Sequence, residues 1–581
     1  MGSASVDGAN VNGSVRIPRS QPRVGSRKLE TAKKLKQLHE PVPANTLTQS
    51  VRKRAVSFFL SSVGAGAMLG GAWRSEALGW FGVAGIALFF WGQLRCVGLR
   101  GTVIHAYLTG VVSFSIACSW LPSTVRYLSE CGLLASYAWA LACYSTQSLG
   151  LILFGTFWRA MQLNGRRVWF VVPILWVALE HVLPTLFPWP PAVLLTADLP
   201  LLQVAELGGV DLASMLVLSS AVFLAWSMEL ACQFFGGFRL QQKVVWQWSL
   251  VFLLLFGIRI AGVQRIQQID VAIEGRADGN LRVGLIQADT RFADSNPRMV
   301  EATRAMQGLI DLAVWPESAL GDYSRELRDF NDPGRVKELS TGEDTGFVPF
   351  PDPHCLLLAG ADRWDDIEVD GKPDRHFVSA LLINELENLV GCRDKVELMP
   401  YGEYIPGESV LPFLRDWWGD ERVISSGVEP VPIGRIGDFQ VGALLCCEDM
   451  HPGLVRGLVR RGANLLVTLG NGMAFDSEIA LRQHFRIARL RAIEHRVYFL
   501  RCTSSGVSGL VAPSGKVLHE MPAMQDVAVV LSIPQLPPTL GQTFFTRNGW
   551  LLPYVLGISS ILAWLVKKRG GGGSSSALRF F

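Results

Sequence analysis

Charge is scarce in this chain. Only 18% of its 581 residues are Asp, Glu, Lys or Arg, against 49% hydrophobic residues. That balance excludes an entirely water-exposed enzyme of this length and predicts membrane spans. Net charge is small as well. A formal +4 gives no basis for nucleic-acid binding. The ten cysteines never fall at paired metal-ligand spacings, so neither a metal site nor any other cofactor is expected. They suggest no disulfide framework either, and several lie inside apolar runs, where cysteine behaves as a small hydrophobe. No cleavable leader is expected. The first apolar run starts too late and no convincing small-residue cleavage pattern precedes it.

The chain is rich in long apolar runs. They fall at 55–73, 77–94, 102–120, 132–157, 168–187, 208–233, 244–263 and 549–566. Each is near the ~20 residues that cross a bilayer as a helix. Loops rich in Lys and Arg alternate with loops almost free of them: Arg95 and Arg100, then Arg159, Arg166 and Arg167, then Arg239 and Lys243. Lys567, Lys568 and Arg569 close the last run. The positive-inside rule puts both termini in the cytoplasm. The expected organisation is therefore a basic disordered cytoplasmic tail over 1–54 and a helical membrane domain of about seven spans over 55–263. An outer domain follows over 264–547, then a last span over 548–569 and a flexible tail over 570–581. Glu180 lies inside an apolar run, where a carboxylate is costly and usually functional.

The outer segment alternates short apolar strands with helical stretches. Leu281–Gln287, His376–Ile383 and Asn464–Leu469 read as strands; Arg298–Leu312, Gly453–Arg461 and Arg482–His495 read as helices. This alternation fits a layered α/β fold.

Three segments carry chemistry. Leu444-Leu445-Cys446-Cys447-Glu448 puts a thiol and a carboxylate at the end of an apolar strand. Leu312-Ala313-Val314-Trp315-Pro316-Glu317 ends a second strand on a carboxylate. Between them lies Lys395-Val396-Glu397-Leu398-Met399-Pro400-Tyr401-Gly402-Glu403-Tyr404-Ile405-Pro406. A thiol attacking an acyl carbon needs a base for its proton and positive charge for the oxyanion. Glu317 and Lys395 can supply these. As neighbours on a strand, Cys446 and Cys447 would face opposite sides. The segment Leu411 to Gly419 places Trp417 and Trp418 in an apolar loop, as a membrane-touching arm would.

Glu, Lys and Cys in this order resemble the nitrilase superfamily of carbon–nitrogen hydrolases. The Lys395 motif resembles its membrane branch, the apolipoprotein N-acyltransferases. Gln483-His484 through Glu494 is similar to that branch's Gln-His-x-x-x-Ala-Arg-x-Arg-Ala-x-Glu helix. The chain departs from the usual pattern at Cys447, where an aromatic ring is usual, and at Ala474, where tryptophan is usual. The resemblance implies a polytopic α-helical membrane domain plus a nitrilase-like α-β-β-α sandwich on the outer face of the bacterial inner membrane. It implies a Cys446 nucleophile, Glu317 as base and Lys395 at the oxyanion, with Glu403, Glu448 and Asn471 in support. Tyr401, Trp417 and Trp418 are the expected substrate contacts. The implied reaction moves an acyl chain from a phospholipid to the diacylglyceryl-cysteine amine of a diacylated apolipoprotein, through a thioester. Two rival readings share the fold: a membrane-tethered amidase and a non-catalytic membrane scaffold.

Overall fold

The computed structural model describes residues 44–129, 131–161, 167–183, 188–235, 242–274, 279–289, 295–320, 322–323, 355–365, 375–386, 388–400, 402–405, 407–408, 410–413, 424–473 and 475–569. The contacts below lie within the compact unit Phe58–Phe581.

Helices α1 (Ala44–Arg74), α2 (Gly79–Arg95), α3 (Gly98–Ala117), α4 (Leu121–Ser129), α5 (Leu133–Ala160), α6 (Arg167–Val182), α7 (Ala205–Phe235) and α8 (Gln242–Glu274) come first. Among the described residues, five helices are long and apolar enough to cross a membrane: Val56–Arg74, Glu76–Arg95, Leu133–Ala160, Ala205–Cys232 and Trp246–Glu274. Helices α3 and α4 meet at a 71° bend and would make a sixth span together. The apolar run expected to end at 263 continues as helix to Glu274. Inside the apolar half, Glu180 accepts from Trp176 Nε1 at 2.8 Å.

The soluble half adds β1 (Leu281–Gln287), α9 (Ser295–Ala305), β2 (Leu312–Val314), β3 (Asp322–Tyr323), β4 (Leu356–Asp365), β5 (Arg375–Ile383), β6 (Leu389–Asp394), β7 (Gly434–Ile436) and β8 (Phe439–Leu445). Then come α10 (Pro452–Arg460), β9 (Leu465–Asn471), α11 (Glu478–Ala488), α12 (Leu490–His495), β10 (Tyr498–Ser504), β11 (Gly509–Val511), β12 (Val517–Glu520), β13 (Val527–Ile533), α13 (Phe544–Asn548) and α14 (Leu551–Arg569). One sheet runs β13-β1-β2-β4-β5-β6 with β3 beside β4; the other runs β12-β11-β10-β9-β8-β7.

The strand period decides what packs where. On β8, Phe439, Val441, Ala443 and Leu445 face the other sheet, meeting Val283, Val314 and Leu358. Leu444 faces the opposite way, onto Val455 and Leu458 of α10 and Phe485 of α11. On the far side, Met299 and Val300 of α9 cover Ile286 and Leu357. The result is a four-layer α-β-β-α sandwich, nitrilase-like in form. Strands β1, β2 and β4 are mutually parallel, as are β8, β9 and β10. Their carboxyl ends therefore gather at one edge, the usual place for a site in such sheets.

The two halves are joined by side chains from α11 and α12. Helix α7 breaks at Gly208 and at Gly209, whose φ of 68° suits glycine. The break frees the Val210 N–H, which donates to Glu494 Oε1 at 2.7 Å. A carboxylate from α12 thus caps a helix of the membrane half.

Candidate active site

Glu317 is positioned by close packing of backbone. After β2 the buried Trp315 donates its backbone N–H to Leu358 O at 2.9 Å and its indole N–H to Thr303 Oγ1 at 3.0 Å. Gly360 N donates to Pro316 O at 3.0 Å. A methyl group on Gly360 would stand 2.5 Å from Glu317 Cα, so β4 can approach this closely only with glycine there.

Cys446 is positioned by a strained turn. The strand ends at Leu445 and the chain enters a 3₁₀ turn, Cys446–Met450, with Cys446 at φ 48°. Few non-glycine residues adopt that conformation, and it holds the side chain off the end of the sheet. The turn also corrects the expected placement of Cys447. The two cysteines are no longer strand neighbours, and both thiols lie within electrostatic reach of the Lys395 ammonium. Cys447 is buried, and its thiol donates to Glu397 O at 3.5 Å.

Glu448 ties this turn to the Lys395 segment. Its carboxylate accepts from Arg393 Nη1 at 2.6 Å and Nη2 at 2.9 Å, from Leu445 N at 2.8 Å and from Val396 N at 2.7 Å. Both side chains of the pair are buried. Removing either would leave an unpaired buried charge, at a cost of about 3–5 kcal/mol.

Lys395 sits between two carboxylates. Its Nζ donates to Glu317 Oε1 at 3.1 Å and to Glu403 Oε1 at 2.5 Å. Glu403 is fixed in turn by the Met399 N–H, 2.7 Å from Oε2. Lys395 is only 1% exposed, and it stays charged because Glu317 and other anionic groups outweigh its burial. Burial raises the Glu317 carboxyl to about 7; Lys395 pulls it down and Glu403 pushes it up. Burial and the nearby Glu317 raise the Cys446 thiol to about 12, while Lys395 acts in the opposite direction. The resting thiol therefore keeps its proton, beside a carboxyl poised to accept one near neutrality.

A second buried group supports the turn. Asp449 pairs with Arg501 and with His484, whose Nε2 lies 2.7 Å from Asp449 Oδ1. Arg501 Nη2 lies 3.0 Å from His484 Nδ1. An arginine only donates, so Nδ1 accepts and Nε2–H faces the carboxylate. Burial alone would raise Asp449, but His484 and Arg501 hold its carboxyl below the usual range. Asn471 lies at the end of β9, its Oδ1 accepting from Ser504 Oγ at 2.8 Å and from Met473 N at 3.0 Å. A narrow cleft opens here, walled by Trp120 and Trp189 from the membrane half and by Asn471, Phe475 and His484 from the soluble half.

The structure thus brings Glu317, Lys395 and Glu403 into contact beside Cys446, and puts Glu448 behind them. Tyr401, Trp417 and Trp418 lie outside the described residues; of that segment, Leu411 and Phe413 are exposed. Sequence reasoning missed Arg393, Asp449 and Arg501, and it gave His484 no role at the Cys446 turn. The Gln483-His484 pair at the start of the conspicuous helix was the available signal.

Comparison with known proteins fits this layout. The family described as Carbon-nitrogen hydrolase matches residues 282–535, and that described as Apolipoprotein N-acyltransferase N-terminal domain matches residues 65–223. The chain is 27% identical over 469 residues to an apolipoprotein N-acyltransferase of Geobacter metallireducens, covering 76% of this chain and 82% of the relative. It is 24% identical over 488 residues to the one of Vibrio cholerae, covering 80% and 87%. A solved amidase of Nesterenkonia from the nitrilase superfamily is similar at 18% identity and a TM-score of 0.32, covering 47% of this chain and 95% of that one.

Proposed function

We propose, from the premise that this chain belongs to the apolipoprotein N-acyltransferase family, that it moves an acyl chain from a phospholipid to the N-terminal diacylglyceryl-cysteine of an apolipoprotein through a thioester on Cys446. The observation that carries this reading is the meeting of Glu317 and Lys395 from one sheet with a strained Cys446 from the other, on a domain bonded to apolar helices. Glu317 takes the thiol proton as sulfur attacks the ester carbon. Lys395 stabilises the oxyanion. Collapse expels the glycerol oxygen of the lysophospholipid, which receives the proton from Glu317. In the second half the acceptor's amine attacks the thioester, Glu317 takes the amine proton, and the thiolate leaves and is reprotonated. Two substrates used in turn through a covalent intermediate give ping-pong kinetics.

The direct test follows a labelled phospholipid. The label is expected on Cys446 and is expected to leave when a diacylglyceryl-cysteine peptide is added. Label lost to water at the same rate with and without peptide would make the protein a hydrolase instead.

The proton inventory gives a pH dependence. Glu317 must be unprotonated to act, and its carboxyl is raised to about 7. Acyl-enzyme formation is therefore expected to fall about tenfold for each unit below that pH. Single-turnover rates between pH 4 and 9 check this; a limb near pH 4.5 would show that the raised Glu317 carboxyl is not the base.

The catalytic domain belongs, in this reading, on the outer face of the inner membrane, because the Lys- and Arg-rich loops fall on the other side. A cysteine placed at Ser425 should react with an impermeant thiol reagent added from the periplasmic side. Reaction only after the inner membrane is opened would reverse the topology and remove the lipoprotein acceptor.

A further inference from the structure

Helix α11 touches the ends of membrane helices with one residue and the nucleophile turn with the next. Gln483 donates from Nε2 to Trp73 O at 3.2 Å and to Ala117 O at 2.9 Å, and its Oε1 accepts from Trp120 Nε1 at 3.0 Å. Trp73 and Ala117 lie at the C-terminal ends of α1 and α3, where carbonyls lack helical partners. One turn on, Arg486 reaches Trp73 O at 3.0 Å and Val193 O at 3.2 Å, and its Nε reaches Thr196 Oγ1 at 3.3 Å. Gln483 and Arg486 are both buried. Between them, His484 holds Asp449, which follows Cys446 in the same 3₁₀ turn.

We propose that α11 sets the depth of Cys446 relative to the bilayer, with Gln483 and Arg486 as positioning residues. The inference rests on the acyl-donor reading above. The ester carbonyl of a phospholipid lies at a fixed depth in the membrane, so the attacking sulfur must be held at that depth. Hydrogen bonds from a single helix to helix ends on one side and to the nucleophile turn on the other leave no flexible joint between them. A misplacement of 1 Å can cost about a hundredfold in rate. A small ester dissolved in water needs no such depth, because it diffuses to the thiol wherever the thiol sits.

The test compares two donors for the same intact protein: phosphatidylethanolamine in vesicles and p-nitrophenyl butyrate in water. Gln483→Leu removes the amide while keeping most of its volume. Its acylation by vesicles is expected to slow about tenfold or more, and its acylation by the soluble ester to change by less than about twofold. Arg486→Lys keeps the charge but loses the planar fork, and is expected to show the same split more weakly. It carries the test if Gln483→Leu cannot be purified folded. Equal losses on both donors, or no loss on either, would overturn the inference. A wild type that reacts with the ester but never with vesicles would instead overturn the acyl-donor reading, so the two failures are distinguishable.

Discussion

Replacing Cys446 with alanine is expected to abolish acyl transfer, and replacing Cys447 with alanine is not. Alanine removes the proposed nucleophile but leaves the turn alone, because the turn is held by the Glu448 carboxylate on the Leu445 N–H, at 2.8 Å, and on Arg393. Losing an attacking side chain costs on the order of 10⁶ in rate in a well-studied hydrolase. Cys447 has a different environment. It is buried, it donates to Glu397 O at 3.5 Å, and it packs within an apolar cluster shared with the membrane half. Its truncation should cost about 1 kcal/mol of stability, the centre of the usual range for point substitutions. Mass spectrometry of the acyl-enzyme separates the two thiols. An adduct on Cys447, whose thiol senses the same ammonium, would reverse the assignment.

Local patterns made several strands legible, and with them the three segments that bring Glu317, Lys395 and Cys446 together. The apolar run Phe439–Leu445 reads as a strand and forms one, buried on both faces. Glu317 and Lys395 stand in short motifs whose neighbours restrict what else they could be. What stayed hidden depends on pairing across distance. Arg393 meets Glu448 55 residues later in the chain, and Arg501 meets Asp449 across 52. No periodicity encodes such partners. Strands β10 to β13 were not read, although they complete one sheet and edge the other. The orientation of Cys447 failed for a local reason. The strand pattern gives no sign that the chain turns left-handed at Cys446, since no glycine marks the place.

Replacing Lys395 with methionine should lower acylation by on the order of 10²–10³, the usual loss for one oxyanion donor. It should also move the pH profile, and that second effect tests the geometry. Methionine keeps most of the side chain's length but removes the ammonium, and with it both the charge and the hydrogen-bond donors. Lys395 Nζ now lies 3.1 Å from Glu317 and 2.5 Å from Glu403 and pulls the Glu317 carboxyl down against its burial. Without it, two acids face each other in a buried site with nothing between them. The carboxyls would take up a proton in place of the lost ammonium. The sign follows: the Glu317 carboxyl rises above about 7, so the acid limb of the acylation rate moves to higher pH. Part of the lost rate should then return on raising the pH, and the rest should not, because no donor remains for the oxyanion. A rate near wild type would remove Lys395 from the mechanism. A slow variant whose acid limb stays in place would keep Lys395 but show that Glu317 is not the group being titrated, and another base would have to be sought among Glu403 and its neighbours.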